Sequence, residues 1–207
     1  MAQTIDMLET YYRKANLPQI LREDSSCPSN PEVLKLVDSI KNHTFAPSII
    51  VFSGIGQGKT RGAAAMLREY LKTRRDVIDN GTPGYFLSVH SLCYQNRSVD
   101  RYKRDEDLQQ VIRTAINTDF LVLDGIFSYL TQNDDLLLQS LYDARQYSGK
   151  TTVVTTSIID PLDCSGSVLY RISRDANVKV EFKNANQITG RSNEDNKGMD
   201  KGWGKTT

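Results

Sequence analysis

The chain of 207 residues has little cysteine, little histidine and a single tryptophan. Its three cysteines, Cys27, Cys93 and Cys164, are far apart and in no metal-ligand spacing. An odd count without pattern excludes a disulfide framework and suits a reducing, cytosolic setting. No apolar run approaches the roughly 20 residues of a transmembrane helix. The opening MAQTIDMLETYY carries acids and no apolar core, so no signal peptide is expected. The net charge is only +1, which excludes a bulk attraction for nucleic acid and leaves only local patches for such a contact. There is no internal repeat.

What the sequence does have is concentrated in Ser48 to Tyr70, SIIVFSGIGQGKTRGAAAMLREY. An apolar run, Ile49 to Phe52, leads into a turn with Gly54, Gly56 and Gly58, then Lys59-Thr60 and a helical pattern. This is the strand, loop and helix context of a phosphate-binding P-loop. Glycines let successive N–H groups curl inward toward phosphate oxygens, and the helix N-terminus adds partial positive charge. Ser53, Gly54, Gly56, Gln57, Gly58, Lys59, Thr60 and Arg61 are the candidate nucleotide ligands. Lys59 is expected at the β/γ-phosphates and the Thr60 hydroxyl on Mg²⁺. Ser53 stands where the pattern has its first glycine. The competing reading is a glycine turn followed by a chance Lys-Thr.

Strands are expected at 49–52, 85–89, 120–124, 151–157 and 178–182, and helices at 5–14, 32–42, from Lys59, 91–97, 105–117, 136–147 and 168–174. Alternation of the two predicts an α/β fold, a parallel central sheet with helices on both faces. Residues 1–45 read as N-terminal helices and a linker, 46–188 as the nucleotide-binding domain, and 189–207, without periodicity, as a disordered tail.

Phe120-Leu-Val-Leu ends in Asp124, the pattern of a strand that delivers a carboxylate to Mg²⁺ beside a P-loop. Alone it is weak, since any strand ends somewhere; with the P-loop it gains weight. Gly125 follows where many P-loop ATPases carry a glutamate base, so Mg-ATP binding is better supported than fast hydrolysis.

The order of these segments resembles the AAA+ domain of DnaC-type replicative helicase loaders, with DnaI and the transposition ATPase IstB as relatives. KANLPQILRE, FSGIGQGKTRGAAAMLREYL, FLSVHSLCYQNRSVDRYKRDEDLQQVIRTAINTDFLVLDGI, SGKTTVVTTSI and SGSVLYRISRDANVKVEF carry the likeness, over about residues 10 to 185. The resemblance implies a three-layer αβα P-loop NTPase and a slow ATPase. It implies Thr156 or Ser157 as the sensor of the γ-phosphate, and Arg171 as the finger reaching a neighbouring subunit's nucleotide, with Arg174 as its rival. It also implies a homo-oligomer with ATP and Mg²⁺ at subunit interfaces, and a ring helicase and single-stranded DNA as partners. The loaders' N-terminal helicase-binding domain is expected to be missing or reduced to a helix or two.

The segment Tyr94 to Arg104 interleaves Tyr94 and Tyr102 with Arg97, Arg101, Lys103 and Arg104. Cations that track phosphates and rings that stack bases suit single strands; the bland reading is a solvated charged loop. Three functions stand beside one another: a helicase loader, an IstB-like regulator on duplex DNA, and a nucleotide-dependent scaffold that scarcely hydrolyses ATP.

Overall fold

The computed structural model describes residues 2–22, 30–42, 49–54, 58–74, 83–98, 106–127, 129–160, 162, 164 and 167–182. Of the sequence-derived site residues, Gly56, Gln57, Arg101, Tyr102, Lys103 and Arg104 lie outside them, as does the tail from 189.

The helices are α1 (Ala2–Lys14), α2 (Gln19–Arg22), α3 (Pro31–Lys41), α4 (Lys59–Thr73), α5 (Val89–Ser98), α6 (Glu106–Asn117), α7 (Gln132–Tyr147) and α8 (Val168–Asp175). The strands are β1 (Ile49–Ser53), β2 (Gly84–Ser88), β3 (Phe120–Ile126), β4 (Thr151–Thr156) and β5 (Val178–Glu181). They form one parallel sheet in the order β2-β3-β4-β1-β5. The P-loop strand β1 therefore lies between β4 and β5, pairing Ile49 with Thr152 and Ile50 with Val178.

Side chains on a strand alternate between faces, and the apolar runs serve both. Ile50 and Phe52 pack with Val122, Val153 and Val180 under α1–α4. Ile49 and Val51 pack with Leu121, Leu123 and Val154 under α5–α8. A strand covered on both faces reads as an unbroken apolar run, as Phe120 to Leu123 does.

The N-terminal helices belong to this core. Tyr12, Ala15, Leu17, Leu21, Val33, Val37 and Ile40 join α4 in the first of these two clusters, so α1, α2 and α3 are part of the packed unit. Asn30 caps α3 by accepting from the amides of Glu32 and Val33, with Pro31 in the first turn. Between α1 and α2 the chain covers the outer edge of β2. The Ala15 carbonyl accepts from the Phe86 amide at 2.8 Å, and the Asn16 side-chain amide donates to the Phe86 carbonyl at 3.0 Å. Asn16 holds φ at 54°, a left-handed conformation that asparagine tolerates.

Helix α7 begins earlier than its apolar pattern suggests. Thr131 is its N-cap and forms a reciprocal capping box with Asp134. At its far end, Arg145 is almost completely buried. Its guanidinium donates to the carbonyls of Ala115, Thr118 and Thr151 at 2.6 to 2.7 Å and to the Thr152 hydroxyl at 2.9 Å. One side chain thus ties the end of α6 to the starts of β3 and β4. No helix among the described residues is long and apolar enough to cross a membrane.

Candidate nucleotide site

The site is assembled where β1, β3 and β4 end on one edge of the sheet, the place where α/β folds bind ligands. Gly54 leaves β1 with φ 96°, a conformation that disfavours a side chain, and a Cβ there would run into the Phe182 carbonyl oxygen. That collision explains why a glycine is needed right after Ser53: the end of β5 presses on the loop, with the Phe182 amide donating to the Ser53 carbonyl at 2.9 Å. Gly58 precedes α4 at φ 114°, and no side chain caps the helix. The leading amides of this 15-residue helix are therefore not taken by a capping side chain, the arrangement that receives an anion.

Lys59 opens α4, and its ammonium donates to the Gly54 carbonyl at 2.7 Å, arching across the loop. Burial lowers its pKa from the ordinary lysine value, and the Asp124 carboxylate acts in the opposite direction. Thr60, next along the helix, donates from its hydroxyl to Asp124 Oδ1 at 2.8 Å. Residues from β1–α4 and from β3, distant in sequence, thus meet as the P-loop reading requires. Arg61 is exposed on the first turn of α4.

Asp124 is half-buried and lies in an irregularity of β3. The register with β4 shifts between Leu123, which pairs with Val154, and Ile126, which pairs with Thr156. Asp124 and Gly125 together therefore face Thr155 alone, a bulge with Gly125 at φ 83°. Thr155, buried, joins both. Its hydroxyl donates to Asp124 Oδ1 at 2.8 Å and accepts from the Gly125 amide at 2.8 Å. Sequence reading missed this residue and chose its neighbours. Thr156 is buried with its hydroxyl donated to the Ile126 carbonyl at 2.7 Å, and Ser157 is exposed just past the strand. The signal available in the sequence was the run of threonines at the end of β4, but which one meets Asp124 depends on the bulge.

Magnesium and a nucleotide fit these residues. The cation keeps several waters and takes few protein ligands besides substrate phosphates; Thr60 and Asp124 would supply a hydroxyl and a carboxylate, and Lys59 with the α4 amides would face the phosphates. Among the described residues there is no cluster of three or more metal-ligating side chains.

The arginines differ in how far they are committed. Arg171 donates to Asp143 at 2.8 Å and to Gln139 at 3.3 Å, and lies over the Tyr142 ring, tying α8 to α7. Arg174 is more exposed and pairs with the adjacent Asp175 at 2.8 Å, an acid that also accepts from the Tyr142 hydroxyl.

Arg97, one of the cations expected to face DNA, is half-exposed and is also engaged within the chain. It donates to Asp134, which is fully buried, and Asn96 and Thr131 donate to the same carboxylate. Its role within the chain is to neutralise that buried acid. Tyr94, on the same helix, is 70% exposed. Nearer the sheet, His90 lies 6.2 Å from the Phe127 ring, so α5 presents aromatic groups beside the loop that follows Asp124.

The three-layer sandwich, its all-parallel five-stranded sheet and the P-loop at the strand ends define the class: a P-loop NTPase fold of the AAA+ type. No family model and no curated protein matches the chain. Among solved structures it is similar to the DnaC helicase loader, at 18% identity and a TM-score of 0.60, over 84% of this chain and 99% of that one. It is similar to DnaI at 14% identity and a TM-score of 0.58, over 83% and 94%. It is also similar to the replication initiator DnaA bound to AMPPCP and single-stranded DNA, at 15% identity and a TM-score of 0.56, over 79% of this chain and 49% of that chain. At these identities the likeness is one of fold.

Proposed function

We propose that this chain is a nucleotide-switched helicase loader: it binds Mg-ATP, assembles into a homo-oligomer on single-stranded DNA, and helps place a replicative ring helicase. The observation that carries the reading is the 2.8 Å hydrogen bond between Thr60 and Asp124, which puts the hydroxyl and the carboxylate of a Mg-nucleotide site side by side. The fold shared with a helicase loader and with an initiator bound to a nucleotide analogue and single-stranded DNA supports the biological setting.

In this reading Lys59 and the α4 amides hold the β/γ-phosphates, and Thr60 and Asp124 hold Mg²⁺. Ser53, Gly54, Gly56, Gln57, Gly58 and Arg61 complete the loop. Ser157, exposed at the end of β4, faces the γ-phosphate. Arg174 is the better candidate to reach a neighbouring subunit, because Arg171 holds α8 on α7 and, among the described residues, Arg174 pairs with its sequence neighbour Asp175. Single-stranded DNA is met by Tyr94 together with Arg101, Tyr102, Lys103 and Arg104.

A second reading, a nucleotide-dependent scaffold with little turnover, is favoured by Gly125. No carboxylate follows Asp124, and the left-handed backbone there disfavours a side chain. The test is a set of measurements on the full chain: binding of a fluorescent ATP analogue, turnover with and without DNA, and co-purification with a replicative helicase with and without ATP. Lys59→Ala is expected to abolish nucleotide binding, and with it nucleotide-dependent capture of the helicase. Unchanged analogue affinity would remove the site assignment. Nucleotide binding without helicase capture or DNA binding would favour the scaffold.

A further inference from the structure

We propose that the outer edge of β5 is a docking site for an extended polypeptide segment that places an arginine side chain into the groove between β5, α8 and the loop after β4. The groove borders the nucleotide site, since Val51 and Ser53 of β1 also line it, but the inference uses neither Lys59, Thr60 nor Asp124.

Strand β5 ends the sheet, and among the described residues no strand pairs with its outer edge. Val178 and Val180 turn toward the α1–α4 core, while Lys179 and Glu181 stand on the opposite face. Helix α8 covers that face over β1 but leaves β5 open, and beside it is a groove of about 410 Å³. Such a volume lies within the range of ligand pockets and leaves ample room for one long side chain.

The lining selects for a cation on an apolar stem. Among the described lining residues, Asp160 and Glu181 supply two carboxylates against the ammonium of Lys179. Asp160 gives one oxygen to the Leu162 amide at 3.0 Å, which fixes the loop and orients the acid. Ile159 and Leu162 are exposed, 54% and 40%, and form an apolar wall. Most telling is Ser173 on α8. It is 1% exposed, and its hydroxyl is the one buried side-chain polar atom among the described residues without a hydrogen-bond partner. Buried polar groups nearly always have partners, and this one lines the groove.

A guanidinium matches that set. Its planar fork of five donors can address a hydroxyl and carboxylates together, which a lysine ammonium does less well. Its stem can lie along Ile159 and Leu162. A polypeptide is preferred over a free cation because of the edge. A strand added to β5 would pair with its backbone, and every second side chain would project on the face carrying Lys179 and Glu181.

The experiment titrates acetyl-Val-Thr-Arg-Thr-Val-amide into the ¹⁵N-labelled full chain and follows the backbone amides of Ser173, Lys179 and Glu181. Those amides are expected to shift. A citrulline version, neutral but similar in shape, is expected to bind at least about tenfold more weakly, as are the Asp160→Asn and Glu181→Gln variants toward the arginine peptide. Both acids are exposed, so these variants keep the fold. Peptide methylated on alternate backbone nitrogens is expected to lose binding. Equal affinity of the citrulline peptide, or no shift at these amides, would overturn the proposal. Binding of free arginine amide as tightly as the peptide would overturn it too, because the edge would then contribute nothing.

Discussion

Arg97 donates through Nε and Nη2 to a single carboxylate oxygen of Asp134, at 2.9 and 2.6 Å, and Asp134 is wholly buried at the start of α7. A buried acid that loses its cation is left with an uncompensated charge. Arg97→Ala is therefore expected to lower the thermal midpoint clearly, while Tyr94→Ala, on the exposed side of the same helix, leaves it unchanged. Circular dichroism melts of the two variants check this. If Arg97→Ala melts like the parent, the pair is not structural and the arginine returns to the surface group open to DNA.

The same pair sets an acid response. Burial alone would raise the Asp134 pKa, but hydrogen bonds from Thr131, Arg97 and Asn96 outweigh it and hold the value down to about 2. A folded-state pKa below the ordinary 3.8 means stability that is complete above 3.8 and lost as the pH falls toward 2. Urea midpoints measured from pH 6 down to pH 2 should fall less steeply below pH 4 in Asp134→Asn than in the parent. Parallel curves would show that Asp134 contributes no proton linkage.

Thr155 holds the carboxylate that Thr60 meets. Thr155→Val keeps the shape but removes the donor to Asp124 and strands the Gly125 amide, a loss of about 1–3 kcal/mol. The expected signature is specific: more Mg²⁺ is needed to support binding of an ATP analogue, and Thr155→Ser restores the parent requirement. Loss of stability with an unchanged Mg²⁺ requirement would reduce Thr155 to a packing role.

Gly125 invites an engineered glutamate, since that position often carries the base in related ATPases. The backbone argues against it. A left-handed φ costs an ordinary residue about 1–2 kcal/mol, although a Cβ at Gly125 would meet open space. Gly125→Glu is expected to destabilise by that amount in urea unfolding, with turnover remaining slow. A stable variant with rapid turnover would show that the bulge straightens at little cost.

Arg145 satisfies backbone carbonyls from α6, from the turn before β3 and from β4, with no carboxylate partner among its hydrogen bonds. Arg145→Met fills similar space but leaves buried carbonyls unpaired, at about 1–3 kcal/mol each. A total loss of several kcal/mol is expected from chemical denaturation, with most of the protein unfolded at 37 °C. Near-parent stability would mean that water replaces the guanidinium.

Much of this architecture was legible in the sequence. All five strands were placed to within a residue or two, because β1 and β3 are apolar on both faces and β4 is rich in β-branched residues. The meeting of Thr60 and Asp124 follows from the same pattern, since each stands at the end of an apolar strand or the start of the helix after it. Features set by distant partners did not. Arg97 is a surface cation, but its bond to Asp134, 37 residues away, could not be read from the local pattern. The start of α7 was set too late because its first turn is polar, although Thr131 and Asp134 have the spacing of a capping box. Thr155 was passed over because the resemblance implied Thr156 or Ser157, and which threonine meets Asp124 depends on the bulge in β3.

The sheet order also fixes when the nucleotide site can come into being. Both neighbours of β1 follow it far along the chain: Ile49 awaits Thr152 on one side, and Ile50 awaits Val178 on the other. Closing such long loops is slow compared with forming local contacts. A ribosome-bound chain that has emerged only through β3 already contains Lys59, Thr60 and Asp124, yet lacks β4, the strand that lies between β1 and β3. The proposed triphosphate site therefore cannot be complete before β4 has been made, so nascent chains lacking β4 would not yet draw on ATP.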